Sequence, residues 1–175
     1  MATDIITTGI DQKKLRPIIN RVKEKIKKHP VVIDLFKEYD IDISEIDMIP
    51  VCFADISVSA RTDHAVIYLN ISLLDTPEEI DHYLTHEIVH FLQQTTGDKP
   101  TKGADDGDYL ENEYEIEGFQ KQVEYMADTR DKDTAEDYVD QVLDHHEVDN
   151  KKERKEKKEE LLELIAKRIH KFKLI

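Results

Sequence analysis

The sequence predicts an α+β protein, in which a small, mostly antiparallel sheet packs on helices. Three observations predict this class. Apolar residues repeat at helical spacing in residues 11–28 and again over most of the second half of the chain. Two segments between them, residues 46–59 and 65–71, are rich in the β-branched and aromatic residues typical of strands. A helix start signal then follows at Thr76-Pro77, with glutamates in the first turn as a capping box requires.

The elements follow in order from these patterns. A first helix over residues 11–28 ends at His29-Pro30, and a short second helix covers residues 31–39. Residues 61–64 are the natural connection between the two strand segments, in a sheet of about three strands. The rest of the chain is predicted to be helical, and its last helices are an addition to the domain at the C-terminal end. These later helices cover residues 76–95, 110–129, 134–146 and 152–173, with a Gly- and Asp-rich loop over residues 97–108.

The composition excludes several function classes. Lys and Arg number 25 against 39 Asp and Glu, for a net charge of -14, which argues against nucleic-acid binding because such a surface repels phosphate. The single cysteine, Cys52, excludes an intramolecular disulfide and a cysteine-based zinc site. No apolar run approaches the roughly 18 residues of a membrane span, and the first residues lack the apolar segment of a signal peptide. We therefore expect a cytoplasmic protein with no membrane partner.

One motif carries chemistry: His86, Glu87 and His90 form an H-E-x-x-H sequence inside the helix predicted over residues 76–95. Residues four apart share a helix face, so both imidazoles can bind one zinc ion while the adjacent glutamate points at its water. At 100° per residue from Ile80, the histidines lie near 240° and 280°, away from the apolar stripe at about 20° to 80°. A shuffled chain of this composition would hold roughly 0.04 such motifs, so we interpret it as a metal site.

A catalytic zinc ion needs a third protein ligand besides two histidines and a water. The helix predicted over residues 110–129 is unusually acidic, and one of its glutamates is the expected ligand. The candidates on this helix are Glu113, Glu115, Glu117 and Glu124.

The motif and this acidic helix resemble the gluzincin zinc metallopeptidases. More narrowly, they resemble the minimal single-domain members and the ImmA/IrrE-like peptidases common in phages and mobile elements. The matching pieces are the H-E-x-x-H motif, the Phe-Leu-Gln that follows it, and residues 109–118. The resemblance covers residues 47–128.

The resemblance also favours one glutamate as the third ligand. In these families that ligand begins a pattern of glutamate, two residues and a small residue. Glu115 fits with Gly118 in the small position, and it lies 25 residues after the second histidine of the motif. Glu124 also fits, and Asp128 would then match the acidic residue that orients a ligand histidine. We prefer Glu115, with Glu117 and Glu124 as alternatives.

What the resemblance implies is hydrolysis of peptide bonds in a specific protein or peptide substrate. Zinc held by His86, His90 and Glu115 would polarise the scissile carbonyl. Glu87 would take a proton from the attacking water and pass it to the leaving amine. The strand at residues 65–71 could offer a sheet edge on which an extended substrate pairs.

The length of 175 residues corresponds to one ordinary domain. We predict a zincin-like metallopeptidase domain over residues 1–129 and a helical C-terminal extension over residues 130–175, packed on the same domain.

Two other function classes stay open. A catalytically silent protein of the same fold could act as a binding or structural module through its acidic helices. An acidic mimic of nucleic acid would explain the charge but not the motif. Intact His86, Glu87 and His90 favour the peptidase, since a protein without that activity has no reason to keep the glutamate.

Overall fold

The α+β class is confirmed in a computed structural model, which describes residues 4–96 and 110–167. Its main helices are α1 (Gln12–Lys27), α2 (Pro30–Glu38), α3 (Ile80–Thr95), α4 (Glu113–Thr129), α5 (Lys132–His145) and α6 (Lys151–Leu161). Its strands are β1 (Val51–Ala54), β2 (Ala60–Asp63) and β3 (Val66–Asn70). Short 3-10 turns precede β1 and join β3 to α3; they cover Ile43–Met48, Ile71–Asp75 and Pro77–Glu79.

The three strands form a mixed sheet with the order β1-β3-β2. Strand β2 runs antiparallel to β3, whereas β1 runs parallel to β3, so the sheet is mixed where a mostly antiparallel one was expected. The reason is topological: the chain crosses from β1 to the far side of the sheet and returns as β3 between the two earlier strands. Strand β3 is therefore central, and the expectation that residues 65–71 offer a free edge is wrong.

The connection expected over residues 61–64 is also wrong, because most of it is strand β2. The turn between β2 and β3 is only two residues long, His64 and Ala65, whose φ angles are 50° and 60°. Two-residue hairpin turns use this left-handed conformation, because it matches the twist of the flanking strands. The short turn fixes the register, with Asp63 opposite Val66.

The N-terminus of α3 differs from the capping box that the sequence predicts. Thr76 makes no side-chain capping hydrogen bond; a 3-10 turn over Pro77–Glu79 comes first, and α3 begins at Ile80. The Glu79 carboxylate is hydrogen-bonded to the His82 ring instead. The acidic residue at this helix start therefore contacts the polar interior between α3 and α4.

Two apolar clusters make up the core of the part of the chain that the structure describes. The first lies between α1, α2, the sheet and α3, and includes Phe36, Phe53 and Leu84. The second lies between α4, α5 and α6, and includes Phe119 and Leu161. Helices α3 and α4 pack on each other where the two clusters meet. The division at residue 129 stays a prediction, although α5 and α6 share their apolar cluster with α4.

The predicted helix over residues 152–173 is interrupted. Helix α6 ends at Leu161, a turn follows at Leu162, and residues 163–167 are helical again, while residues 168–173 lie outside the described part. The loop predicted over residues 97–108 also lies outside it. Within residues 4–96 and 110–167, no helix combines the length and the apolar character needed to cross a bilayer.

The edge of the sheet at β1 is covered by the chain itself. The Gln12 side-chain amide donates to the Phe53 carbonyl at 2.6 Å and accepts from the Phe53 N–H at 3.0 Å. Next to it, Ile6 and Asp55 exchange two backbone hydrogen bonds of 3.2 and 2.8 Å. The other edge is β2, which lies against α3.

Candidate metal centre

Three side chains converge between α3 and α4: His86, His90 and Glu115. The Nε2 atoms of the two histidines are 3.1 Å apart. The carboxylate of Glu115 lies 3.3 Å from Nε2 of His86 through Oε2 and 3.0 Å from Nε2 of His90 through Oε1. Their exposed fractions are only 4%, 8% and 3%. This buried group of donor atoms could hold a metal ion.

The charges in this group depend on one another. Burial on its own would raise the pKa of Glu115, but the two imidazoles hold it well below its usual range. Burial would likewise lower the pKa of His90, yet the Glu115 carboxylate raises it to about 9. A buried anion between two imidazoles requires positive charge nearby, which either protons or a metal ion can supply.

Two glutamine amides are hydrogen-bonded to the histidines. Nδ1 of His86 lies 2.8 Å from Oε1 of Gln122, and Nδ1 of His90 lies 2.8 Å from Oε1 of Gln93. Because an amide oxygen only accepts hydrogen bonds, each Nδ1 carries a hydrogen. Each Nε2 faces the Glu115 carboxylate and is therefore the nitrogen that would bind a metal ion in place of a proton.

Gly118 allows α4 to approach the ring of His86 closely. A Cβ atom added at Gly118 would lie 2.9 Å from Nε2 of His86 and 3.1 Å from two of its ring carbons. Such contacts are too short for carbon, so any larger residue here would move either the ring or the helix. The Phe119 ring packs against the same imidazole, with its centroid 4.7 Å away.

Glu87 lies beside the three converging side chains rather than among them. Its Oε2 atom is 4.0 Å from Nε2 of His86, and its exposed fraction is 6%. The hydroxyl of Thr62, on β2, lies 3.0 Å from its Oε1 and 3.1 Å from its backbone carbonyl oxygen. The sheet therefore holds one carboxylate oxygen of Glu87 and leaves the other nearer the histidines.

The other glutamates of α4 take different positions. Glu117 accepts a hydrogen bond of 2.6 Å from the Tyr39 hydroxyl and lies 3.4 Å from Nε2 of Gln93. Neither Glu117 nor Glu124 belongs to a potential metal-binding group among the described residues. Of the candidates on this helix, the structure brings Glu115 to the histidines.

Asp128 lies beside a histidine outside this group, with its carboxylate 3.0 Å from Nε2 of His29. The Nδ1 atoms of His86 and His90 face glutamine amides instead. The contact with a candidate ligand histidine that the resemblance gives to an acidic residue is made here by Gln122, which the sequence analysis did not single out. A signal existed: Gln122 follows Glu115 by two helical turns, so both lie on one face of α4.

Comparisons with protein-family models, with curated proteins and with solved structures find no match to this chain.

Proposed function

We propose that this protein is a zinc-dependent metallopeptidase of the gluzincin type, acting on a specific protein or peptide substrate. The observation that carries the proposal is the buried convergence of His86, His90 and Glu115 with Glu87 beside them. Two imidazoles and one carboxylate are a common protein ligand set of catalytic zinc, which leaves a position open for water or substrate.

The donor set and its dimensions fit zinc. Imidazole nitrogens suit zinc and other first-row transition metals better than magnesium or calcium, which prefer oxygen. Donors at 2.0–2.1 Å from a tetrahedral ion are roughly 3.3 Å apart. The separations among His86, His90 and Glu115 are 3.0 to 3.3 Å. Small movements of the side chains would bring all three into this geometry.

Glu87 is the proposed general base. A zinc ion in this site would polarise the substrate carbonyl and lower the pKa of a bound water towards about 7. The Glu87 carboxylate would accept a proton from the attacking water at Oε2 and pass it to the leaving amine. The hydrogen bond from Thr62 to Oε1 supports this role because it holds the carboxylate beside the histidines.

Strand β2 is the proposed site of substrate pairing. Of the two sheet edges, that of β1 is covered by Gln12 and Ile6, whereas β2 lies beside α3 and contacts Glu87 through Thr62. An extended peptide that pairs with β2 would therefore pass close to the metal centre. The Gln94 amide binds the Thr62 carbonyl and the Ala65 N–H, so pairing would use the end of β2 at Ala60.

The cysteine content supports the cytoplasm as the compartment in which this activity takes place. Cys52 is a free thiol, and a chain without disulfides accords with the reducing cytoplasm. Peptidase assays should therefore be run under reducing conditions.

Metal content tests the proposal first. We expect about one zinc per chain by plasma mass spectrometry after dialysis against zinc at neutral pH. A His86→Ala/His90→Ala variant should lose it. A His145→Ala/His146→Ala variant is the matched control, since it removes another histidine pair, near the end of α5, and should keep the metal.

Peptide cleavage tests the second half of the proposal. Zinc-loaded protein should cleave members of a random fluorogenic peptide library, and Glu87→Gln should keep the zinc but lose the cleavage. No zinc in the wild-type protein would overturn the whole proposal. Zinc binding without cleavage would overturn the peptidase proposal. It would leave a catalytically silent protein of the same fold that binds metal and acts as a binding or structural module.

A further inference from the structure

A chain of hydrogen bonds leads from His86 to the surface of the protein. Its first step is the bond from Nδ1 of His86 to Oε1 of Gln122. Nε2 of Gln122 lies 2.8 Å from Nδ1 of His82, and Nε2 of His82 is hydrogen-bonded to the Glu79 carboxylate. The His82 side chain is 1% exposed and that of Glu79 is 41% exposed. The chain therefore begins in the interior and ends in water.

The carboxylate at the outer end sets the direction of every bond. Glu79 can only accept, so Nε2 of His82 carries the hydrogen and its Nδ1 accepts. An acceptor at Nδ1 requires the amide nitrogen of Gln122 to face His82, which turns its oxygen towards His86. Burial lowers the pKa of His82 although Glu79 acts in the opposite direction, which favours a neutral ring.

The second histidine of the motif has a shorter chain of the same kind. Nδ1 of His90 donates to Oε1 of Gln93. Nε2 of Gln93 lies 3.1 Å from the Tyr114 carbonyl oxygen and 3.4 Å from the Glu117 carboxylate, both of which only accept. The orientation of this amide is therefore fixed too. Glu117, an alternative ligand in the sequence analysis, lies at the outer end of this chain.

We propose that Gln122 and Gln93 are positioning residues, and that each relays the influence of a carboxylate to one of the two metal-binding histidines. Gln122 connects His86 to Glu79 through His82, and Gln93 connects His90 to Glu117. This inference rests on the metal site of the proposed function. A carboxylate hydrogen-bonded directly to a ligand histidine fixes its tautomer and makes the imidazole a better donor. Here the neutral amide of a glutamine would transmit this influence on the imidazole, because hydrogen bonds that are all oriented in the same direction along a chain strengthen one another.

Zinc affinity tests the inner part of this relay. Gln122→Leu removes the acceptor for His86 and the donor for His82, and zinc affinity, measured by competition with a chelator, should fall about 10- to 100-fold. Gln120→Leu is the matched control: it lies on the same helix, its amide donates to the Glu160 carbonyl, and it is not part of the relay. The control should bind zinc as the wild type does.

The outer end provides a variant that leaves the interior intact. Glu79→Gln keeps an acceptor for His82 but removes the charge, and we expect zinc affinity to fall about threefold, less than for an inner residue. Glu78→Gln, an exposed neighbour on the same turn, is its control. The visible absorption of the Co²⁺-loaded protein should also change in Glu79→Gln and not in Glu78→Gln, which a purely structural role would not produce.

The outcomes separate the relay from the proposed function. Weaker zinc binding in Gln122→Leu and Glu79→Gln, with both controls unchanged and metal-free thermal unfolding unaltered in Glu79→Gln, supports the relay. Wild-type affinity and an unchanged Co²⁺ spectrum in Glu79→Gln would overturn it while leaving the metal site in place. If Gln122→Leu does not fold, Glu79→Gln decides. A wild-type protein that binds no zinc would overturn both.

Discussion

Two carboxylates, Asp81 and Glu115, are about equally buried in this protein, with exposed fractions of 2% and 3%, but their surroundings differ. Asp81 is hydrogen-bonded to Lys25 at 2.8 Å, to Arg130 at 2.8 Å and to the Tyr125 hydroxyl at 2.9 Å. Lysine and arginine side chains carry their positive charge at neutral pH without needing a metal ion. The charge of Asp81 is therefore fully compensated by the protein.

Glu115 has no such compensation. Among the described residues its ion-pair partners are the imidazoles of His86 and His90, and no lysine or arginine pairs with it. An imidazole is neutral unless it is protonated, so this anion is balanced only when the group takes up protons or a metal ion. The comparison indicates that Asp81 belongs to a structural ion cluster, whereas Glu115 belongs to a group that could hold a metal ion.

The largest expected effect concerns the structural cluster. Asp81→Asn leaves Arg130, which is 20% exposed, without its carboxylate, and should lower the free energy of unfolding by about 3 kcal/mol. This loss of stability lies at the low end of the range for a broken buried ion pair. The reason is that the Lys25 side chain is 59% exposed, so water can solvate its charge once Asp81 is neutral. Urea unfolding measures the change. Zinc stoichiometry should stay at the wild-type value, and loss of zinc in this variant would contradict the comparison.

The converse change removes the anion of the metal centre. Glu115→Gln should lower zinc affinity at least about 100-fold, more than the loss of a residue that only orients a ligand. This corresponds to about 2.7 kcal/mol of binding free energy. Calorimetric titration with zinc measures it. Glu117→Gln is the control on the same helix and should retain most of the affinity. Equal losses in the two variants would show that the choice of Glu115 is wrong.

Acid should weaken the structural cluster in a defined pH range. Hydrogen bonds and charges from Arg130 and Lys25 outweigh burial and lower the pKa of Asp81 from 3.8 to about 2. A lowered carboxylate pKa stabilises the fold above pH 3.8, and this contribution is lost as the pH falls towards 2. The loss is about 2 kcal/mol. The stability difference between wild type and Asp81→Asn should shrink over this range, as read from urea unfolding at several pH values; a constant difference would argue against the lowered pKa.

A smaller effect than that of Glu115→Gln is expected from the close approach at Gly118. Gly118→Ala places a Cβ against the ring of His86, and we expect zinc affinity to fall about tenfold, within the range for residues that orient ligands. Alanine is the better helix former by about 1 kcal/mol, so a loss of affinity would not come from a weaker helix. Zinc titration and metal-free thermal unfolding should be measured together. Unchanged affinity would show that the ring adjusts freely.

The H-E-x-x-H face was predictable because four-residue spacing on a helix is local geometry. The structure shows His86 and His90 side by side on α3, as the spacing predicts. The prediction of Glu115 as the third ligand was less certain, because several glutamates of α4 carry similar local signals. Helical geometry limits which of these acidic residues can face the histidines together: at 100° per residue, Glu124 lies about 180° and Asp128 about 220° around α4 from Glu115.

Strand β2 and the glutamine amides were not predictable from local signals. Residues 60–63 have little strand preference, and they form a strand because a two-residue turn places them against β3. Amides such as Gln122 usually occur on solvated helix faces, and its contact with His86 joins residues 36 positions apart. Pairing across such separations depends on how α3 and α4 pack, which no pattern within one element determines.

The position of the candidate metal centre between the two apolar clusters has a consequence for the energetics of folding. His86 and His90 lie on α3, whose buried apolar residues belong to the first cluster. Glu115 lies on α4, most of whose buried apolar residues belong to the second. An ion bound by all three would stabilise the folded chain by about 2.7 kcal/mol when free metal exceeds the dissociation constant 100-fold. The melting temperature would then rise with the concentration of free metal and fall when a chelator is added, whether or not the protein catalyses a reaction.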